Sequence, residues 1–130
     1  MTRYALAAAL AAHGVIHLIG FVVPWELAEV DGFPYRTTVL DGSADLGTTG
    51  VRVVGVLWLA CAIGFLVAAV GIARRTSWAR PLTATLAGLS LVVCLLGLPE
   101  TFAGIMVNVA LLAGVAWLAH SRTHTLEVAS

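Results

Sequence analysis

Eight side chains able to bind or react sit within or beside strongly apolar runs of this chain: His13, His17, Arg52, Trp58, Ser90, Cys94, Glu100 and Asn108. His13 and His17 stand four residues apart, so on a helix they share one face, with Leu10, Gly20 and Pro24 continuing the stripe. Imidazole changes charge near neutral pH, which makes His17 a candidate acid or base toward a substrate that Asn108 or Ser90 would orient and Arg52 would meet if anionic. The same pair would give a metal ion two ligands, but a site needs a third and a fourth, and no acid lies inside an apolar run to supply one. Haem would need a second helix to contribute the opposite axial ligand. Cys61 and Cys94 are too far apart for a zinc motif and read as small apolar residues. Each of these groups also has a plain structural use. An imidazole can bond a backbone carbonyl or a serine, Asn108 can tie two helices together, and Trp58 can simply pack. Arg52 can snorkel to the interface or pair with Glu100.

The elements that must position these groups follow from composition. Of 130 residues, 60% are hydrophobic and 11% charged, and the mean hydropathy is +0.98. Soluble domains run nearer half apolar and a quarter charged, so the chain is expected to be a single all-α integral membrane domain over residues 1–130. Net charge is zero and no basic run is present, which argues against nucleic acid as a partner. Four apolar stretches, about 4–23, 51–73, 81–98 and 102–119, are each about 20 residues and long enough to cross roughly 30 Å of hydrocarbon. The first begins like a signal peptide but runs on through Val15, Ile16 and Phe21 to Val23 without a small-residue cleavage site, so it is expected to stay as a helix. Pro24 closes it, Pro81 opens the third, and Pro99-Glu100 makes a tight turn into the fourth. The expected architecture is a four-helix up-down bundle with an outer loop of about 27 residues, Pro24 to Gly50, of the length often used for lids and binding segments.

Arginine placement sets the orientation. Arg3, Arg74, Arg75, Arg80 and Arg122 fall at one end and only Arg36 and Arg52 at the other. The positive-inside rule then puts both termini and the middle loop in the cytoplasm, in a cytoplasmic membrane. His120 and His124 fall in the cytoplasmic tail and are expected to be solvated. Within the outer loop, a β-branched run before Asp41-Gly42 signals a short hairpin, while Trp25 to Val30 could lie at headgroup level. At 1.5 Å rise per residue, His17 and Asn108 lie roughly 9 Å below the outer ends of their helices and Trp58 and Ser90 roughly 10 to 12 Å. Cys94 lies shallower, and His13 lies near the midplane. On the third span Thr83, Ala87, Ser90, Cys94 and Gly97 form a small and polar stripe, and Asn108 shares a face with Gly104 and Thr101. These stripes converge on one level of the outer leaflet, with Arg52 and Glu100 at its mouth. Polar side chains at that depth face a bundle interior or a wet cavity.

Helices in lipid associate through close approach at small residues, here Ala60, Gly64, Ala68 and Gly71, then Ala84 and Gly88, then Ala110 and Gly114. The bilayer is therefore the first partner, and a homo-oligomer or a larger membrane complex is a further one.

The segments His13-Gly14-Val15-Ile16-His17-Leu18-Ile19-Gly20-Phe21 and Arg52-Val53-Val54-Gly55-Val56-Leu57-Trp58 resemble those of small bacterial four-helix membrane proteins, and the layout is similar to the DoxX-like group. That resemblance implies four spans, a His-Gly motif on the first helix and Gly-rich later helices, and it connects the chain with quinone or thiol redox chemistry. The leading functional expectation is a binding or accessory protein that holds a lipid, quinone or similar apolar ligand in an outer-leaflet pocket. The alternatives are a membrane enzyme using His17 and a transporter or permease component.

Overall fold

The computed structural model describes the backbone of residues 2–128 and side chains from residue 3 to residue 117. His120, Arg122, His124 and Glu127 lie outside the described side chains. The fold is helical: α1 (Thr2–Ile16), a single turn α2 (Ile19–Val22), α3 (Gly47–Ala73), α4 (Ala79–Leu96) and α5 (Phe102–Val128). Three of these segments, Arg3–Val22, Gly47–Ala73 and Ala79–Leu96, are long and apolar enough to cross a membrane. The apolar part of α5, Phe102–Trp117, is shorter.

α3 is the central helix, packed against α1 on one side and α4 on the other, with α4 in turn against α5. Its buried residues Val51, Gly55, Trp58, Ala62, Phe65 and Ala69 recur at alternating steps of four and three, joined by Cys61 and Ala68. That spacing keeps one seam of a helix turned toward its neighbours. The stripes on α1 and α4 are likewise interior: Leu10, His13 and His17, and Thr83, Ala87, Ser90 and Cys94, are all buried. Of the small residues, Gly64 lies under Leu86 and Gly71 under Trp78. Ala60, Ala110 and Gly114 are exposed.

Two glycines decide how closely α1 can approach α3. A Cβ at Gly14 would stand 2.9 Å from the Ala62 carbonyl oxygen and 3.0 Å from Phe65 Cβ. A Cβ at Gly20 would fall inside the Trp58 indole. Gly20→Val should therefore eject Trp58 from its seat and destabilise the protein by about 1–3 kcal/mol, as overpacking generally does. Thermal unfolding together with a shift in tryptophan emission would check it, and an unchanged spectrum would show the seat to be more yielding than its geometry implies.

The first span is not one uninterrupted helix. It breaks after Ile16 and resumes at Ile19. The cause is the His17 ring: its Nδ1–H donates to the His13 carbonyl at 2.8 Å, the same oxygen that the His17 amide reaches only at 3.3 Å while also approaching Gly14 O at 3.2 Å. A side chain competing for an i−4 carbonyl tightens the turn locally. The helical path then passes Pro24 and stops at Glu26, whose φ of 55° places it at the left-handed position of a Schellman-type end. There the Leu27 N–H bonds Val22 O and the Glu26 N–H bonds Val23 O. α3 starts four residues before Val51 and α4 two before Pro81. The latter is tolerated because first-turn amides have no helical partner.

The outer loop carries the hairpin expected around Asp41-Gly42. β1 (Thr38–Val39) pairs antiparallel with β2 (Ala44–Asp45), Thr38 opposite Asp45 and Val39 opposite Ala44. Leu40, Asp41 and Gly42 turn with positive φ. Trp25 is exposed yet bonded to α3. Its Nε1–H donates to the Arg52 carbonyl at 3.1 Å, which docks the start of the loop on α3.

Asp45 links the hairpin to α3, accepting the Gly47 N–H at 2.9 Å. That bond, with a second from Thr37, holds its carboxyl below the ordinary aspartate value. A depressed carboxylate contributes stability above its unfolded value, near 3.9, and loses it as pH falls through the lower folded value. The Asp45 carboxyl is thus expected to titrate below a free aspartate by NMR, with Gly47 amide exchange accelerating only in that acid window. A midpoint at the ordinary value would show that the Gly47–Asp45 bond does not form in solution.

Candidate functional site

A chain of hydrogen bonds joins α1, α4 and α5 in the bundle interior. His17 Nε2 lies 2.6 Å from Ser90 Oγ, Ser90 Oγ lies 2.7 Å from Asn108 Nδ2, and Asn108 Oδ1 lies 3.2 Å from His13 Nε2. All four residues are buried, Ser90 and Asn108 completely. Cys94 Sγ is 3.6 Å from Asn108 Nδ2 and 4.0 Å from Ser90 Oγ. The two imidazoles meet edge to face at 4.5 Å, with Phe65 beneath both and Trp58 against His17.

With neutral rings, the direction of every bond follows from one carbonyl. The His13 carbonyl can only accept, so His17 carries its proton on Nδ1 and presents a bare Nε2. Ser90 must donate its one hydroxyl hydrogen to that nitrogen. Its oxygen then accepts from the Asn108 amide, which turns Asn108 Oδ1 toward His13 and makes His13 Nε2 the donor. The chain leaves the His13 ring and returns to the His13 carbonyl, with each polar atom along it paired. Interior polar groups in a membrane bundle have to be satisfied in this way.

This arrangement constrains the available chemistry. The Ser90–His17 pair has the spacing of a nucleophile and its base. Yet Ser90 is fully buried and does not line the adjoining cavity, while His17 has both nitrogens engaged. An amide in the middle of the chain also fails to pass a proton on as a hydroxyl or imidazole would. Among the described residues no group of three or more His, Cys, Asp or Glu is placed to hold a metal.

Beside the network lies a cavity of about 260 Å³. Its floor includes His13, His17 and Cys94, and its walls come from α1–α2, α3 and α5 through Ile19, Gly20, Val54, Trp58, Gly104 and Val107. The outer loop roofs it with Phe33, Pro34, Arg36 and Val39. The roof is fixed to the α4–α5 turn by Leu40 N–H to Leu96 O at 2.9 Å and Asp41 N–H to Leu98 O at 3.2 Å, and by the Arg36–Glu100 ion pair at 2.9 Å.

Of the eight residues singled out from sequence, His13, His17, Trp58, Ser90, Cys94 and Asn108 are brought together. Glu100 is at the cavity mouth, but its partner is Arg36 and not Arg52. Arg52 stands away from the cavity, paired with Glu26 at 3.1 Å, because Trp25 docks on the Arg52 carbonyl and carries Glu26 to the arginine's side. Two contributors were not apparent in the sequence. Phe65 lies seven residues beyond Trp58, two helical turns along the same face, a spacing that could have flagged it. Arg36 carried no local signal, since only the folded loop delivers it to Glu100.

No family model, curated protein or solved structure matches the chain.

Proposed function

We propose that this chain is a four-span membrane protein whose cavity binds an apolar small molecule, such as a lipid or quinone, with both termini on the cytoplasmic side. The observation that carries the reading is the cavity itself: mostly apolar walls, a polar floor held by a closed chain of hydrogen bonds, and a roof tied down by two backbone hydrogen bonds and an ion pair. Apolar concavity with a few fixed polar groups is the usual form of a small-molecule site.

Support for the fourth span is that α5 continues as helix to Val128 and the sequence stays apolar to Ala119. That is about 18 residues, or roughly 27 Å. Phe102, Met106, Val109 and Trp117 point outward from it, as lipid-facing residues would. Support for the orientation is the clustering of Arg74, Arg75 and Arg80 at the end opposite the hairpin.

The test is native mass spectrometry with lipid extraction on gently purified protein, beside Val107→Phe, which enlarges a side chain on the cavity wall. A stoichiometric apolar molecule in the wild type, reduced in the variant, is the expected result. A wild type carrying nothing beyond bulk lipid would end the binding reading and leave a scaffold role within a membrane complex.

A further inference from the structure

We infer that the occupant of this cavity carries a hydrogen-bond donor, a hydroxyl on an otherwise apolar body, and that His13 Nδ1 accepts from it. The inference rests on the binding reading above and narrows its ligand: a lipid hydroxyl or a reduced quinol meets it, whereas an oxidised quinone, which only accepts, does not.

Four observations lead there. The His13 carbonyl fixes the His17 tautomer, and through Ser90 and Asn108 that choice fixes His13 as a donor at Nε2. A neutral imidazole with its proton on Nε2 has a lone pair on Nδ1. Among the described residues no hydrogen bond is made to that nitrogen, the ring's bond being the one from Nε2 to Asn108, and it is not among the sealed, unpartnered polar atoms. Finally, His13 contributes to the cavity floor, and Nδ1 is the ring nitrogen it has left to offer.

The other floor groups do not compete for this role. His17 has both nitrogens engaged, and Cys94 Sγ already lies against Asn108 and Ser90. The Thr101 hydroxyl, which donates to the Cys94 carbonyl and can still accept, belongs to the α4–α5 turn beside Glu100 at the cavity mouth and not to the floor. The deep end of the cavity is thus an acceptor in apolar surroundings. A ligand whose head only accepts, a ketone or an ether, would face that lone pair with its own and leave both unpaired. A ligand with an O–H would satisfy it. Discrimination of this kind is large because an unpaired polar group in a dry site bears the full cost of its lost solvation.

A matched pair of probes separates the possibilities: a 4-alkylphenol and its methyl ether, which share a ring and tail and differ in the donor. Binding to the full chain in nanodiscs would be measured as label retained above empty nanodiscs. Expected is phenol binding about tenfold tighter than ether binding, the worth of one well-made hydrogen bond. His13→Phe should bring the two together. Because that substitution also deprives Asn108 of a partner, a second reading uses wild-type protein with ¹⁵N-labelled histidine: the His13 Nδ1 resonance should move with phenol and stay with ether. Val107→Phe should weaken both probes. Equal binding of the two, still lost in Val107→Phe, would overturn the donor inference while leaving a binding site. Failure of both probes to bind above empty nanodiscs would remove the site itself and the inference with it.

Discussion

Asn108→Leu should loosen α5 from the bundle and destabilise the protein by about 2 kcal/mol, the cost of leaving two buried partners unpaired at the modest values found for hydrogen bonds inside membranes. Leucine keeps the branched shape of asparagine and is the larger residue, so the loss would not come from a void. It removes the acceptor from His13 Nε2–H and the donor from Ser90 Oγ, while the Cys94 thiol loses its amide contact. Ser90→Ala should cost a similar amount, and the double variant clearly less than the sum, because one closed chain is broken either way. Reversible unfolding in mild detergent, arranged as a double-mutant cycle, gives the coupling directly. Strict additivity would mean that the four side chains act separately and that the directional argument from the His13 carbonyl has no energetic counterpart.

Phe65→Ala carries the other large effect. Phe65 is fully buried and lies with ring centroids 4.9 Å from His13 and 5.4 Å from His17, on the face where Gly14 brings α1 against α3. Its removal should cost about 3 kcal/mol through lost packing and the cavity left behind, the lower part of the range for aromatic truncation. In lipid the transfer contribution shrinks, since hydrocarbon surrounds the unfolded helices as well, but the cavity contribution remains. The hole would also open beneath both imidazoles, so their NMR line widths should broaden along with the drop in stability. Phe65→Leu, which keeps most of the volume, should recover more than half of the loss. A leucine variant as unstable as the alanine one would point to the aromatic edge contacts with the histidines as the larger contributor.

How much of this was legible beforehand differs from element to element. The apolar runs, their proline and arginine boundaries and the Asp41-Gly42 turn are local signals, and the hairpin and the helix ends lie within a few residues of them, except that α5 runs on past Ala119 and Arg122 to Val128. The break after Ile16 was not legible, because it arises when the His17 ring bends back onto a carbonyl of its own helix, a choice made by the neighbours that hold the ring. Periodicity on each helix was enough to place His13, His17, Ser90, Cys94 and Asn108 on inward faces at similar depth, since rise and angle per residue are nearly constant in a helix. It was not enough to pair Arg52 with Glu26 or Arg36 with Glu100. Those pairs join a loop to helix ends across dozens of residues, and a loop has no fixed rise or angle from which to compute a meeting point.

The sequence by itself therefore determined a helical chain built for a membrane, and the set of polar residues that it would have to accommodate there. Tertiary structure decided which of those residues satisfy one another, which nitrogen carries each proton, and where a space is left over. The physical reason is that burial and periodicity are properties of single elements, whereas hydrogen-bond direction and cavity shape depend on atoms from four segments arriving together.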